Sequence, residues 1–518
     1  MQRSLAAVLL ASVCVAGPAA PSFAAPPFVK VRDDLLRTAG GGTPSSIAVS
    51  RYVAPPATAT LEASAATAVT QARAWYGEAL AGGGSLGAFP WADPATIDNT
   101  GRVAFFSWVD GVERNQGIFV ADTAGALTAI AVGCGQGGGS GAHGTCGDPS
   151  PVGGTFGGFF GGTCYAPAMN ARGDVLFMAD VQGGSTPRGL FLWTRSTAAI
   201  TKVAAVGDLL PSGEKIYALS HGSLNNAGTA AFYVQTVAGA YSADVYTAAA
   251  GALTRAAAVG GLAPGGGLFG NLGREWFGFV DGTEMPVGAP ALNDLGQLAY
   301  FATSTGTVER GLVLATGAAK QWVATSADAT PLGGHYFDFF YPVMNNAGQL
   351  AFYADVLLDD GSFSGGWFVG TKAAMRKAVA FFDPLAGGQV LGLAASRAPM
   401  TPLDNAGNVA VWTSLGDNGP ELILVSHADG TTEAIAKMGE TGPQGGTLGM
   451  MNAWPSRNAG SKTSFGAFTP GADAGIVSAF LVNGPTTPSC SRVAGGGSPW
   501  AALAFVTLLM VRRRAARA

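Results

Sequence analysis

The chain has 518 residues, of which 78 are glycine and only 12% are charged, and its formal net charge is −4. Few charges, abundant glycine and 48% hydrophobic residues argue against a disordered or helical chain and favour an extended all-β protein with many tight turns. Because lysine and arginine cluster only at the extreme C-terminus, the composition also argues against nucleic acid as a partner.

The N-terminus has the pattern of a secretory signal peptide, which we assign to residues 1–25. Arg3 supplies the positive start, residues 5–15 form an apolar run, and Ser22, Phe23 and Ala24 resemble a small-residue cleavage site. This pattern predicts export. Residues 26–69 are rich in alanine, threonine and proline, and we interpret them as a lead-in to the folded part.

One short motif then recurs seven times, with Asn or Asp, two residues, Gly, two residues, a small residue and a large apolar one. The last copy is degraded, because it begins with Arg457 and has one extra residue before Phe465. The clearest copy spans residues 345–352. The spacing between copies ranges from 52 residues (296 to 348) to 72 residues (101 to 173), which suits a propeller blade better than a tight solenoid. The motif glycines are Gly101, Gly173, Gly228, Gly296, Gly348, Gly407 and Gly460.

The stretch after the second copy predicts four short strands separated by glycine and proline turns, at residues 175–181, 189–194, 200–206 and 214–220. A half-unit at residues 74–94 precedes the first copy, and only half a unit follows the last, ending near residue 482. The two halves can combine into one blade, which removes exposed strand edges. We therefore predict an all-β β-propeller over residues 70–484, with seven four-stranded blades closed by the two chain ends.

The repeated Asn and Gly have two interpretations. They could form a ring of amides that reaches a ligand or calcium. Alternatively, the Asn side chain bonds its own backbone and Gly provides a positive φ in a turn. Recurrence in every blade favours the turn.

Acidic residues recur in the loops that follow the predicted third strands. On a propeller they would share one face and could bind calcium or form an acidic funnel. The alternative is that each acid accepts backbone N–H groups in its own turn, which is favoured because no run has calcium-loop spacing. We predict no cofactor; calcium is possible, but no sequence pattern supports it. Gly261 breaks the series Glu78, Asp148, Asp208, Asp328, Asp383 and Glu440, of which Asp148, Asp208, Asp328 and Glu440 are the candidate ligand-binding residues.

Cys134 and Cys146 bracket an insertion between a third strand and its acidic loop, and in an oxidising compartment they predict a disulfide. Cys164 could compete for either partner, so three pairings remain open. The histidines, His143, His221, His335 and His427, have no metal-binding spacing and are interpreted as surface or loop residues.

Two aromatic clusters precede motif copies. They could provide a platform for a sugar or another polymer, or they could pack between adjacent blades, which we favour. The clusters are Phe156, Phe159 and Phe160, and Tyr336, Phe337, Phe339, Phe340 and Tyr341.

Residues 485–518 have the pattern of a C-terminal sorting tail. A polar spacer with Cys490 precedes Gly495, Gly496 and Gly497, an apolar stretch at 500–511, and a basic end at 512–517. The apolar stretch is shorter than the roughly 20 residues that a spanning helix needs. This favours a processed tail over an anchor retained in the inner membrane. Cys490 and the three glycines are the predicted anchor or processing residues.

The tandem motif together with this tail resembles the choice-of-anchor tandem-repeat proteins of bacteria. Members of that family share the repeat and carry different C-terminal anchors. The tail is similar both to the Cys-containing myxobacterial type and to the Gly-Gly, rhomboid-processed type. The resemblance implies an exported, surface-attached protein handled by export and sorting machinery, and it implies no catalytic residues.

Two functional hypotheses follow. The first is a non-catalytic role in binding, adhesion or envelope structure at the cell surface or outer membrane, with a glycan or protein ligand and membrane contact through the tail only. The alternative is an exported polysaccharide-active hydrolase or lyase that uses acids near the propeller channel.

Overall fold

The computed structural model describes fifteen ranges of residues: 69–87, 95–113, 115–135, 146–159, 167–236, 243–273, 277–280, 283–286, 288–385, 387–394, 401–416, 419–442, 447–451, 455–470 and 476–484. Throughout these ranges the secondary structure consists of β-strands, and helices are absent. Accordingly, no segment of the described ranges forms a helix long and apolar enough to cross a membrane.

The first strand, β1 (Val69–Trp75), belongs to a sheet with the last strands of the chain, and six blades of consecutive strands lie between them. Blade 1 contains β2 (Ser85–Leu86), β3 (Thr96–Ile97), β4 (Val103–Asp110), β5 (Gln116–Ala121) and β6 (Leu127–Gly133). Blade 2 contains β7 (Thr155–Phe156), β8 (Ala168–Met169), β9 (Val175–Gln182), β10 (Arg188–Thr194) and β11 (Ala199–Ala205). Blade 3 contains β12 (Ala218–Leu224), β13 (Ala230–Gln235), β14 (Asp244–Ala249) and β15 (Ala252–Ala257).

The second half of the chain continues the pattern. Blade 4 contains β16 (Phe269–Leu272), β19 (Ala291–Leu292), β20 (Leu298–Ser304), β21 (Arg310–Thr316) and β22 (Ala319–Thr325), with a hairpin of β17 (Phe277–Val280) and β18 (Thr283–Pro286) inserted. Blade 5 contains β23 (His335–Phe339), β24 (Val343–Met344), β25 (Leu350–Leu357), β26 (Phe363–Thr371) and β27 (Ala374–Ala380). Blade 6 contains β28 (Pro384–Leu385), β29 (Gly388–Leu393), β30 (Val409–Leu415), β31 (Glu421–Ser426) and β32 (Thr432–Lys437).

The closing sheet combines both ends of the described chain. It consists of β33 (Ser456–Arg457), β34 (Thr463–Pro470), β35 (Ile476–Gly484) and β1, and β1 pairs antiparallel with β35 from Val69 opposite Gly484 to Trp75 opposite Ala479. Six blades consist of consecutive strands, so the seven-blade ring predicted from the sequence requires the closing sheet to be the seventh blade.

Two details of the predicted blade are wrong. Residues 214–220 do not form the fourth strand of the unit that begins at residue 175, because β12 pairs with β13 of the next blade. The outer strand β11 is followed by a loop that carries the chain into that blade. Nor are all blades four-stranded, because in several the inner strand is interrupted, so that β7 and β8 both pair with β9.

The inner strands of neighbouring sheets contact one another in series: β33 with β3, β3 with β8, β8 with β12, β12 with β19, and β19 with β24. This arrangement places the first strand of each blade at the propeller axis. Antiparallel strands make the connections alternate between two faces. The upper face carries the second-to-third connections and the loops into the next blade, whereas the lower face carries the motif turns and the third-to-outer turns.

The hydrophobic core lies between adjacent sheets. Phe106 of blade 1 packs in one cluster with Phe177 and Phe191 of blade 2, and these rings are essentially fully buried. On one side of the closing sheet, Ala74 packs with Phe105 of blade 1. On the other side, Phe465 of the closing sheet packs against blade 6. The closing sheet is therefore covered on both sides, as the six blades are.

Candidate functional site

The first residue of each motif copy organises a turn on the lower face. Asn225 Oδ1 accepts hydrogen bonds from the backbone N–H of Ala227 at 3.1 Å and of Thr229 at 2.9 Å. Gly228 has a φ of 82° in this turn, a conformation that favours glycine. The contacts are the turn interactions that the sequence analysis favours over a ligand site.

The same asparagines, and Asn458 at the second position of the last copy, also join neighbouring sheets, a contact that the repeat does not predict. In each case the side-chain amide nitrogen donates to the backbone carbonyl of the first motif residue in the next copy. This polar belt consists of the pairs Asn170 to Asn225 (3.1 Å), Asn225 to Asn293 (3.2 Å), Asn293 to Asn345 (3.1 Å), Asn345 to Asp404 (2.9 Å) and Asn458 to Asp98 (2.6 Å).

Two motif copies begin with aspartate, whose ionised side chain cannot donate. At both positions a buried arginine takes part instead. Arg102 pairs with Asp98 and donates to the carbonyl of Arg172 in the next copy at 3.2 Å. Arg457 of the closing sheet donates to Asp404 at 2.8 Å. Charge pairs therefore continue the polar belt between blades 1 and 2 and between blade 6 and the closing sheet.

The acids proposed as ligands lie in the upper-face loops, and each accepts a backbone N–H in its own turn. These bonds support the structural interpretation of the acids. The donors are Val132 for Asp148 (2.8 Å), Ala205 for Asp208 (2.9 Å), Thr325 for Asp328 (2.8 Å) and Lys437 for Glu440 (3.1 Å), with Trp75 for Glu78 (3.2 Å) and Ala380 for Asp383 (2.9 Å) in the same role.

The gap in this series at Gly261 is filled from another strand. Asp244, at the start of β14, accepts the backbone N–H of Val259 at 2.8 Å and faces Arg255 at 3.5 Å. Burial raises the pKa of Asp244, opposed by the Val259 hydrogen bond and Arg255. A carboxylate is thus supplied to this loop although the loop itself lacks one.

Lysines in the outer strands neutralise two of the loop acids. Lys202 lies 2.7 Å from Asp208, and Lys377 lies 2.5 Å from Asp383. Within the described ranges, no group of three or more His, Cys, Asp or Glu side chains is arranged to hold a metal ion.

Cys134 and Cys146 form the predicted disulfide, with Cα atoms 6.0 Å apart. The chain next to each cysteine is also held by hydrogen bonds. The backbone N–H of Gly135 donates to Asn115 Oδ1 at 2.9 Å, and the backbone N–H of Asp148 donates to the carbonyl of Val132 at 2.8 Å.

The aromatic clusters mostly pack between blades, as favoured. Phe156 and Phe159 are buried in the core between blades 1 and 2, where Phe156 meets Phe177 edge to face. Tyr336 and Phe339 are buried in the core between blades 4 and 5. Phe337 is different. Its ring is 48% exposed on the upper face, and it meets the edge of Phe363 with ring centroids 5.1 Å apart.

His221 is not a surface residue, which corrects the prediction for this histidine. It is buried in the inner strand β12, where burial and the nearby Arg188 lower its pKa to about 3. Arg188 in turn pairs with Asp180 at 2.9 Å. His335 is exposed, and His427 lies 3.4 Å from Glu433.

Exposed large apolar side chains are concentrated on the upper face. Leu209 is 66% exposed and Leu262 is 77% exposed in equivalent loops, one position after Asp208 and Gly261. On the lower face of the described chain, the exposed large apolar side chain is Leu295, at 70%. The other members on the upper face are Tyr76, Val112, Tyr217, Val259, Leu268, Phe337, Leu357, Phe363, Phe382 and Met438.

Exposed charges are also divided between the faces. In the described upper-face connections Lys215 is the exposed base, whereas the described lower face exposes Arg172, Arg195 and Lys372 and a single acid, Asp429. The exposed acids of the upper face are Asp110, Glu113, Glu214, Glu309, Asp328, Asp359, Asp360 and Glu440. The upper face is therefore acidic and apolar together.

A half-buried carboxylate that the sequence does not reveal belongs to Glu421, at the start of β31. It accepts the backbone N–H of Met451 at 2.6 Å and the indole N–H of Trp412 at 3.3 Å. Burial raises the pKa of Glu421, and the two hydrogen bonds oppose that rise. Nothing in its local sequence distinguishes it from a surface acid.

Several predictions lie outside the described residues. The segments are the signal peptide at 1–25, the lead-in up to residue 68 and the tail at 485–518 with Cys490, Gly495, Gly496 and Gly497. The single residues are the third cysteine Cys164, the aromatic residue Phe160 and the histidine His143.

Comparison with known proteins places the chain in a family. Similar solved structures include a puromycin-hydrolysing peptidase of Mycobacterium tuberculosis, with 13% identity and a TM-score of 0.41 over 76% of this chain and 50% of that chain. They also include the polysaccharide lyase Uly1, with 9% identity and a TM-score of 0.38 over 82% of this chain and 99% of that one. The chain thus spans half the length of the peptidase, and no curated protein matches it. A family model described as a family of unknown function, DUF7453, matches residues 9–381, and the chain belongs to that family.

Proposed function

We propose that this protein is an exported, surface-attached, non-catalytic propeller that binds a macromolecular ligand through its upper face. The observation that carries the proposal is the segregation of exposed large apolar side chains, which are concentrated on that face and represented on the described lower face by Leu295. Exposed apolar groups that gather on one side of a soluble fold mark interaction surfaces. Loops positioned by a rigid scaffold are the usual place for such a surface.

Export and surface attachment rest on the terminal sequence patterns. Protease treatment of intact cells tests them directly. We expect the folded part to be released or degraded without cell lysis, and protection of the protein in intact cells would contradict this part of the proposal.

The ring itself is part of the proposal. We infer that the closing sheet acts as the seventh blade, and three observations support this: the β1–β35 pairing, the packing of the closing sheet on blades 1 and 6, and the bond from Asn458 to Asp98. An experimental structure in which β1 is detached from β35 would contradict it.

Leu262 and Leu295 provide a matched test of the binding face. Both are exposed leucines in turns, at 77% and 70%, and they lie on opposite faces. We expect Leu262→Ser combined with Leu209→Ser to lower binding to glycans or extracellular proteins on an array by at least about ten-fold, because the apolar contact is removed. Leu295→Ser is the control and should bind as the native protein does. Equal loss in both variants, or no binding by the native protein, would count against the proposal.

A further inference from the structure

Resting on the proposed function, we propose that the partner of the upper face is a basic polypeptide segment that also carries apolar side chains. The upper face exposes seven acids and one lysine in its described connections and an eighth acid, Asp110, at the end of β4. The exposed outer-strand bases Lys202 and Arg255 are paired with Asp208 and Asp244. The lower face exposes three bases and one acid in its described turns. Charge complementarity on this face therefore selects a cationic partner. The exposed leucines and phenylalanines on the same face select one with apolar groups.

Blade 5 shows both properties within a single connection. The turn between β25 and β26 carries Asp359 and Asp360, and it is flanked by Leu357 and Phe363, which are 37% and 38% exposed. The carboxylate of Asp360 accepts hydrogen bonds from the Ser362 backbone at 2.9 Å and the Ser362 hydroxyl at 2.6 Å. These bonds lower the pKa of Asp360 and so favour its ionised form.

The aromatic pair beside this turn suits a cationic side chain. Phe337 and Phe363 meet edge to face with centroids 5.1 Å apart, and both rings are partly exposed. A lysine or arginine placed over an exposed ring is attracted by its quadrupole, and the adjacent carboxylates add an ion pair. An acidic glycan or an anionic lipid headgroup would instead meet like charge.

The partner chemistry is tested with three capped twelve-residue peptides, alternating Lys-Leu, Ser-Leu and Glu-Leu, bound to the full-length protein and followed by fluorescence anisotropy. We expect the Lys-Leu peptide to bind at least about ten-fold more tightly than the other two. Its affinity should fall several-fold between 50 and 300 mM NaCl, because the Debye length shrinks below about 10 Å above 0.1 M salt. Comparable binding of the Ser-Leu peptide would overturn the proposal.

Matched charge variants locate the interaction. Asp359→Asn combined with Asp360→Asn should weaken Lys-Leu binding several-fold, and Asp429→Asn, an exposed acid of the lower face, should not. Equal effects of the two changes, or no effect of either, would overturn the inference. Self-association of the native protein that the Asp359 and Asp360 changes abolish would also overturn it, by identifying a second copy as the partner.

The outcome separates this inference from the proposed function. If Leu209→Ser with Leu262→Ser lowers binding to a ligand found on the array but the Lys-Leu peptide is not preferred, the binding face stands and its basic partner fails. If neither the leucine changes nor the charge changes affect any binding, both fail.

Discussion

Asn458 and Asp98 are 360 positions apart in the chain, yet the side-chain amide of Asn458 donates a hydrogen bond to the backbone carbonyl of Asp98 at 2.6 Å. The contact joins the last motif copy to the first. It continues the polar belt that runs through the other asparagines. Lys462 reaches across the same joint to the carbonyl of Thr100 at 3.1 Å.

Replacing Asn458 with alanine should therefore weaken the joint between the closing sheet and blade 1. The change removes the donor to Asp98 and the acceptor of the Lys462 backbone N–H, which lies 2.8 Å away. We expect a loss of about 1–3 kcal/mol in the free energy of unfolding, because buried polar groups are left without partners. Urea unfolding measures it, with Asn99→Ala, an exposed neighbouring motif position, as control. A similar loss in the control would contradict the role of the polar belt.

The charge pair at Asp98 predicts non-additive effects. Asp98→Asn leaves the buried Arg102 guanidinium without its anion, which should cost about 3–5 kcal/mol. Adding Arg102→Gln recreates the Asn and Gln found at Asn293 and Gln297, where the two side chains bond at 2.8 Å. The double variant should therefore be more stable than Asp98→Asn alone, with a coupling of about 0.5–3 kcal/mol in a double-mutant cycle. Additive losses would contradict this view of the joint.

The repeated sequence predicts the local turns but not the contacts between copies. The bond within the Asn225 turn follows from the chemistry of a single motif. The bond from Asn225 to Asn293 joins residues 68 positions apart, and no local pattern specifies it. The degraded last copy is also explained only by the structure, since its positive φ lies at Ser461, with 63°, instead of at Gly460.

Exposure in the loops is equally beyond the sequence. Leu209 and Leu210 are adjacent and chemically identical, but Leu209 is 66% exposed and Leu210 is 4% exposed. The way the loop folds back over β12 determines which of the two leucines is exposed to solvent. Hydrophobicity along the chain therefore does not reveal the apolar face. The role of Asp244 is hidden from the sequence for the same reason. Its loop has Gly261 where the equivalent loops have an acid, and only the fold brings the carboxylate of Asp244 to it from another strand.

The disulfide should stabilise the insertion without holding the propeller together. Its cysteines are 12 positions apart, and the flanking residues Gly135 and Asp148 have hydrogen bonds of their own. Replacing both cysteines with serine should cost about 2–3 kcal/mol, the range for a short closed loop. Thermal unfolding with and without reductant measures it. The native protein should respond to reductant and the variant should not, and collapse of the whole fold on reduction would contradict this expectation.

The loop acids distinguish a structural role from a calcium site. Asp208 accepts the Ala205 N–H and pairs with Lys202, so Asp208→Ala should lower the free energy of unfolding by about 1–2 kcal/mol whether or not calcium is present. Thermal unfolding with 5 mM calcium and with chelator tests this. A calcium-dependent rise in the midpoint of the native protein that is lost when Asp148, Asp208 and Asp328 are alanine would support the metal site instead.

Glu421 predicts a defined pH dependence of stability. Burial raises the pKa of its carboxyl above the ordinary 4.5, so the folded protein binds its proton more tightly than the unfolded chain does. The contribution of the protonated Glu421 carboxyl to the free energy of unfolding is complete below pH 4.5, and it is lost as the pH rises through the folded-state pKa. Glu421→Gln keeps the acceptor for Met451 and Trp412 and removes the charge. We therefore expect its stability relative to the native protein to increase from pH 4 to pH 8 in urea unfolding. Glu309→Gln, an exposed upper-face acid, is the control, and a native-to-variant difference at Glu421 that stays constant across this pH range would show that the carboxylate is not held in a desolvated site.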